Sequence, residues 1–159
     1  MDALALRMAE WFAGDPKRSQ HLMKVYAYSI LIGRQENLPA DQLRTLAAAA
    51  LVHDIGIKPA EEKFGSCDGK LQEQEGPDPA RTLLKEVGFD PLTTARVAYL
   101  VAHHHTYSDI DDLDLQILIE ADFLVNLYED SASPEAIAKA RTKIFKTHTG
   151  IRLMDCLFA

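Results

Sequence analysis

The chain is poor in cysteine: Cys67 and Cys156 are the only two among 159 residues. They are too few and too far apart for a disulfide framework or a zinc knuckle, so both are expected to be reduced thiols in a cytoplasmic protein. No apolar run approaches the ~18–20 residues that span a bilayer, and no membrane partner is expected. Asp2, Arg7 and Glu10 make the first turns unlike a signal peptide. Basic charge is scarce as well. Seventeen Lys and Arg against 24 Asp and Glu leave a formal net charge of −7, the wrong sign for a general binder of long nucleic acids. A small phosphorylated partner is not excluded, because a metal ion and a few local cations override the global sign. Strand signals are also missing, since no segment alternates apolar and polar residues convincingly.

What is present is a soluble-type composition, 47% hydrophobic and 26% charged, in a length that suits one domain with a real core. Helical spacing dominates. Residues 2–13 read as a short amphipathic helix closed by Gly14. Asp15-Pro16, Asp90-Pro91 and Ser133-Pro134 each pair a capping side chain with a proline suited to a first turn. The helix from Pro16 to about Glu36 carries His21, Val25, Tyr28 and Ile32 on one stripe. The next runs from Pro39 or Asp41 through Ala47–Ala50 to His53, with small residues that permit tight burial. Residues 56–76, punctuated by glycine and proline, are the least regular part and read as a functional or partly mobile loop. Further helices are expected at 78–87, from Asp90-Pro91 towards the histidines, at 114–129, from Ser133 to near Thr147, and after Gly150. The fold class is all-α, one domain over 1–159, with its core in 17–130 and C-terminal helices in 134–158.

The chemistry gathers around His53-Asp54, which closes the alanine-rich helix. His21 lies on the apolar stripe of an earlier helix. Asp122 sits in the apolar run Leu118–Val125, where an ionised carboxylate is costly to bury without a counter-charge. A metal or a histidinium removes that cost. Two imidazoles and two carboxylates make a mixed donor set suited to Fe, Mn, Zn, Co or Ni, and less well to Mg. Facing helices of a bundle bring such ligands together regardless of their distance in sequence.

The ordered set His21, His53-Asp54 and Asp122 resembles the HD superfamily of metal-dependent phosphohydrolases. Leu46–Val52 leading into His53-Asp54-Ile55-Gly56 is similar to that family's lead-in. Glu75-Gly76-Pro77 through Leu83-Leu84 is similar to the segment after its active-site loop. The resemblance covers roughly residues 17–130. It implies a helical bundle with a metal site between helices, formed by His21, His53, Asp54 and Asp122. It also implies phosphoester hydrolysis by metal-activated water, with a nucleotide or another small phosphorylated metabolite as substrate. The alternative is a metal-binding, nucleotide-sensing module with little or no turnover. A redox di-iron enzyme is a third possibility, disfavoured by the lack of histidine between His53 and His103.

That same gap bears on metal number. Relatives with two metals, such as the HD-GYP phosphodiesterases, place a histidine there, whereas this chain reads Gln72-Glu73-Gln74-Glu75-Gly76-Pro77. One ion is expected first, or two if Glu75 or Glu73 replaces the missing ligand. Thr106-Tyr107-Ser108 replaces the Gly-Tyr-Pro part of the signature, so cyclic-dinucleotide cleavage is not assigned. Helical phase from Ala98 and Val101 turns His104 and His105 inward and His103 away. His104 or His105 is therefore a candidate for a second metal or for general acid. Asp54, besides ligation, is a candidate to orient the water. Lys58 and Arg18, with Lys17, are candidates to meet a substrate phosphate, and Glu75 to touch substrate. His148 reads as a helix-end cation favoured by the dipole, and Asp109–Asp114 as a solvated turn.

Overall fold

A computed structural model of the chain describes residues 1–158. Among these residues the structure is all-helical. The helices are α1 (Asp2–Trp11), α2 (Pro16–Gln35), α3 (Ala40–Val52), α4 (Ile57–Phe64), α5 (Gly69–Glu75), α6 (Pro77–Glu86), α7 (Pro91–Val101), α8 (Leu113–Glu129), α9 (Pro134–Lys143) and α10 (His148–Leu157). Among the described residues no helix is long and apolar enough to cross a membrane. The three proline starts behave as their chemistry dictates. Asp15 accepts a hydrogen bond from the Arg18 N–H, Asp90 from that of Thr93 and Ser133 from that of Ala136, each satisfying one otherwise orphaned N–H of the first turn.

Helix α3 is the centre. It packs on α2, α7 and α8, and every residue from Thr45 to Val52 is buried. Ala47–Ala50 make this possible, because side chains of one carbon let three neighbouring helices approach one axis. Helix α8 lies against α2 and α3 and buries twelve of its seventeen residues, including the charged Asp114, Glu120 and Asp122.

The segment 56–76 differs from the sequence expectation. It forms α4 and α5 rather than an irregular loop. Its glycines are not there to make a flexible chain. A Cβ on Gly56 would lie 2.4 Å from the Gln72 carbonyl, and one on Gly76 would lie 2.6 Å from Val101 Cγ1. The α3–α4 turn and the α5–α6 junction therefore cross backbone to backbone, and this contact sets the position of Asp54. Gly65, at φ 67°, ends α4 in the left-handed conformation that glycine tolerates.

Two further expectations change. His148 is the first residue of α10, after the capping Thr147. It is thus at a helix N-terminus, where a cation gains nothing from the dipole. The acidic run 109–114 is not simply solvated: Arg96 forks onto both Asp111 and Asp114, and Asp114 is buried.

Candidate metal centre

Three elements deliver the quartet. His21 comes from α2, His53 and Asp54 from the end of α3 and the turn after it, and Asp122 from the middle of α8. His21, His53 and Asp122 are buried, and Asp54 is mostly so. The His21 Nε2 stands 3.1 Å from Asp122 Oδ1 and 3.6 Å from Asp54 Oδ2. His53 Nε2 stands 3.5 Å from Asp54 Oδ1 and 3.4 Å from Asp122 Oδ1. His104 joins them from just beyond α7, with Nε2 at 3.5 Å from Asp54 Oδ1. The rings of His21, His53 and His104 form a row, with centroids 5.5 and 5.2 Å apart.

The orientation of each ring is set from behind. His53 Nδ1 donates to the Ala50 carbonyl at 3.0 Å, and His104 Nδ1 to that of Val101 at 2.8 Å. His21 Nδ1 meets Glu129 Oε2 at 2.9 Å. With the proton held on Nδ1, each neutral ring turns an Nε2 lone pair towards the carboxylates. The Nε2 atoms of His53 and His104 are buried and have no hydrogen-bond partner, a costly arrangement unless a cation sits among them. Donors about 2.1 Å from one ion lie about 3.0–3.4 Å from each other; the separations from Asp122 Oδ1, 3.1 and 3.4 Å, fall within that span, and those from Asp54, 3.5 and 3.6 Å, lie just outside it. The residues present therefore fit a divalent transition metal.

Two ligand-spaced groups share Asp54: His21, His53 and Asp54, and Asp54, His104 and His105. His103 turns away as its phase predicts, stacking on Tyr99 at 4.0 Å. Without an ion, protons do the balancing. Burial opposes charge on His53, but Asp54 and Asp122 overcome it and push its pKa up to about 9. Burial likewise works against the two carboxylates, and the imidazoles outweigh it, holding Asp54 down at about 2 and Asp122 lower than an ordinary carboxylate. His105 moves the other way, down to about 4, through burial and the neighbouring His104.

The outer partners divide. Arg18 and Lys17 border a polar hollow of about 240 Å³ above His21 and Asp54. Arg18 is held by Glu61 at 2.6 Å, while Lys17 makes no ion pair among the described residues. Lys58 is engaged elsewhere, its ammonium 3.5 Å from the Trp11 carbonyl and over the Trp11 ring. Glu75 is paired with Lys63. Of the two glutamates, Glu73 is the one that reaches the histidine segment, accepting from the His105 N–H at 3.0 Å and the Thr106 hydroxyl at 2.8 Å.

Sequence reasoning missed Glu129. Its carboxylate holds His21 Nδ1 and is itself paired with Lys24. Asn126, between them on α8, donates to Asp122 Oδ1 at 2.9 Å. The signal was present: Asp122, Asn126 and Glu129 stand at helical spacing on one face.

A row of buried imidazoles wrapped around two carboxylates in an all-helical frame defines a histidine–aspartate metal-site protein, and the coarse class is a metal-dependent hydrolase of the HD superfamily. The chain belongs to the HD domain family, whose model matches residues 18–141. Its fold is similar to that of a crystal structure described as a predicted HD superfamily hydrolase from an uncultured Thermotogales bacterium. The TM-score is 0.69 at 25% identity, over 98% of this chain and 83% of that one. No curated protein matches the chain.

Proposed function

We propose that the protein is a phosphohydrolase that cleaves the phosphoester of a nucleotide or another small phosphorylated metabolite, with His21, His53, Asp54 and Asp122 holding the ion. In this reading residues 1–159 work as one HD-type domain. The observation that carries it is the pair of buried, unpartnered Nε2 atoms of His53 and His104 aimed at Asp54.

A bound divalent ion polarises a phosphoryl oxygen and makes water a competent nucleophile near neutral pH. The protein supplies the rest. The Ala50 and Val101 carbonyls and Glu129 fix the rings before any ligand arrives, so little reorganisation is left for the reaction. Asp54, which faces three imidazoles, is the carboxylate placed to orient water as well as to ligate. Lys17 and Arg18 at the mouth of the hollow meet the phosphate charge, Arg18 after leaving Glu61. In this reading His104 and His105 are the candidates to give the leaving group its proton.

A second reading, two ions sharing Asp54, is favoured by the second ligand-spaced group of Asp54, His104 and His105. Metal content separates the two: two ions per chain for this reading, one for the first. Stripping the metal should abolish phosphatase activity, and Mn, Co, Fe, Ni or Zn should restore it. Full activity after both chelation and Asp54→Ala would overturn the mechanism. Tight nucleotide binding with no hydrolysis across a broad phosphoester screen would turn the assignment to a sensing module.

A further inference from the structure

A second hollow, which shares no residue with the one bordered by Lys17 and Arg18, lies next to Tyr107 and the histidine segment. It lies between α8, α9 and the segment after the histidines, with a volume of about 410 Å³, inside the ~300–1,000 Å³ range of small-molecule sites. Its walls are Phe123, Leu127, Ile144 and the Tyr107 ring, and its rim carries Lys139 and Lys143.

We propose that this hollow binds the far part of the substrate, an apolar or aromatic body that carries a second anionic group. The proposal rests on the phosphohydrolase reading for calling that ligand a substrate. Three observations converge on it.

The hollow and the centre are neighbours, with Tyr107 between them. Tyr107 Oη lies 3.2 Å from His105 Nδ1, and the Tyr107 ring packs edge-on against Phe123 at 5.3 Å. Phe123 directly follows Asp122 in the chain. In the proposal, a molecule whose phosphate sits among Asp54, Asp122 and the histidines extends past Tyr107 into the hollow.

The surface matches an apolar body. Two aromatic rings and two aliphatic side chains form the walls, and Tyr107 is 46% exposed, leaving a ring face free to stack on a planar group.

The charge matches an anion. The chain carries a net −7, yet among the described residues no carboxylate lines this hollow. The lysines that form ion pairs are Lys24, Lys63 and Lys70. Among the described residues Lys139 and Lys143 form none. They are four residues apart on α9, about 6 Å along the axis, so both ammonium groups present one face to a single anionic group.

The test is calorimetric titration of the metal-loaded protein with two probes, adenosine 5′-monophosphate and adenosine 3′,5′-bisphosphate. The bisphosphate should bind at least tenfold more tightly than the monophosphate. Lys139→Ala/Lys143→Ala should erase that preference. Ala136→Glu, which adds a carboxylate to an exposed position of the rim, should weaken the bisphosphate at least tenfold, whereas Ala136→Gln should not. An equal affinity for the two probes, or a preference untouched by both the lysine and the Ala136→Glu variants, overturns the proposal. If the protein hydrolyses no phosphoester with any metal, the hydrolase reading fails, and the calorimetric preference still decides whether the hollow is an anion subsite. Where hydrolysis is measurable, the ratio of kcat/KM for the bisphosphate over the monophosphate should fall at least tenfold in the double lysine variant.

Discussion

Glu120 and Asp122 stand two residues apart on α8, both buried, and their surroundings differ in kind. Glu120 is surrounded by donors that cannot move. Its carboxylate accepts from the Gln116 amide at 2.7 Å, from the N–H groups of Lys146 and Thr147 at 2.6 and 2.9 Å, and from the Thr147 hydroxyl. Both oxygens are answered, Oε1 by three donors and Oε2 by the Thr147 hydroxyl, and the result is a clamp that holds the α9–α10 turn onto α8. Gly150 completes it, since a Cβ there would lie 1.9 Å from Glu120 Oε2. Asp122 has one fixed donor, Asn126, and otherwise faces the Nε2 atoms of His21 and His53. Saturation by neutral donors marks a structural carboxylate. A ring of imidazoles with the proton locked on the far nitrogen marks one kept for a cation.

The largest expected effect tests the Asp122 side. Asp122→Asn should cost activity roughly 10³-fold, the order seen when a preorganised electrostatic group is lost, and should weaken metal binding in parallel. Asn126 and the apolar neighbours remain, so the metal-free variant should stay folded, and above about pH 9, where His53 has lost its proton, it should melt close to the metal-free parent. Titration calorimetry and differential scanning calorimetry read the two quantities separately. A variant that loses fold and metal together would place Asp122 with Glu120 as a structural group.

Glu120→Ala should show the reverse. It leaves the Lys146 and Thr147 N–H groups and the Gln116 amide without acceptors in a buried turn, at a cost of about 3 kcal/mol. For a chain of this size the melting temperature should fall by roughly 6–12 °C. Metal affinity of the folded protein should stay within a factor of about three. A tenfold loss of affinity at unchanged stability would mean that the two carboxylates are not separable.

How far the sequence anticipates this contrast depends on where each partner comes from. The helix starts at Asp15-Pro16, Asp90-Pro91 and Ser133-Pro134 were legible because capping is local. The quartet His21, His53, Asp54 and Asp122, which the structure brings together, was legible because an apolar stripe interrupted by an ionisable residue signals an unusual partner. Glu120 interrupts the same stripe and went unremarked. Its partners lie in the α9–α10 turn, and only tertiary packing brings Thr147 there. Glu129 was hidden for a related reason: near a helix end a glutamate reads as solvated until α2 is seen lying across it. The glycines of 56–76 suggested a loop because glycine usually signals freedom. At Gly56 and Gly76 it signals backbone contact, which depends on a segment twenty residues away.

The smallest effect concerns protons. In the metal-free protein, a proton on His53 takes the place of the ion between Asp54 and Asp122. Its folded-state pKa is raised to about 9 from about 6.5 in an unfolded chain. A raised value means that the stabilisation is fully present below pH 6.5 and is lost as pH rises through about 9. The melting temperature of metal-free protein should therefore fall by a few degrees between pH 6.5 and 9.5. The lowered pKa values of Asp54 and Asp122 act on the other side: the Asp54 contribution is lost as pH falls towards about 2, and that of Asp122 is likewise lost only on the acid side. A divalent ion must displace the His53 proton, so metal affinity should climb across the same alkaline window as protons are released. Metal-loaded protein should not show the alkaline loss. Asp122→Asn should shift the window down towards pH 6.5, because it removes one of the two charges that raise His53. Glu120 touches none of these rings, and a conservative change there should leave the window where it is. A flat melting profile for metal-free protein from pH 6.5 to 9.5 would show that the two carboxylates are held by something other than a proton on His53, and would remove the electrostatic half of the contrast with Glu120.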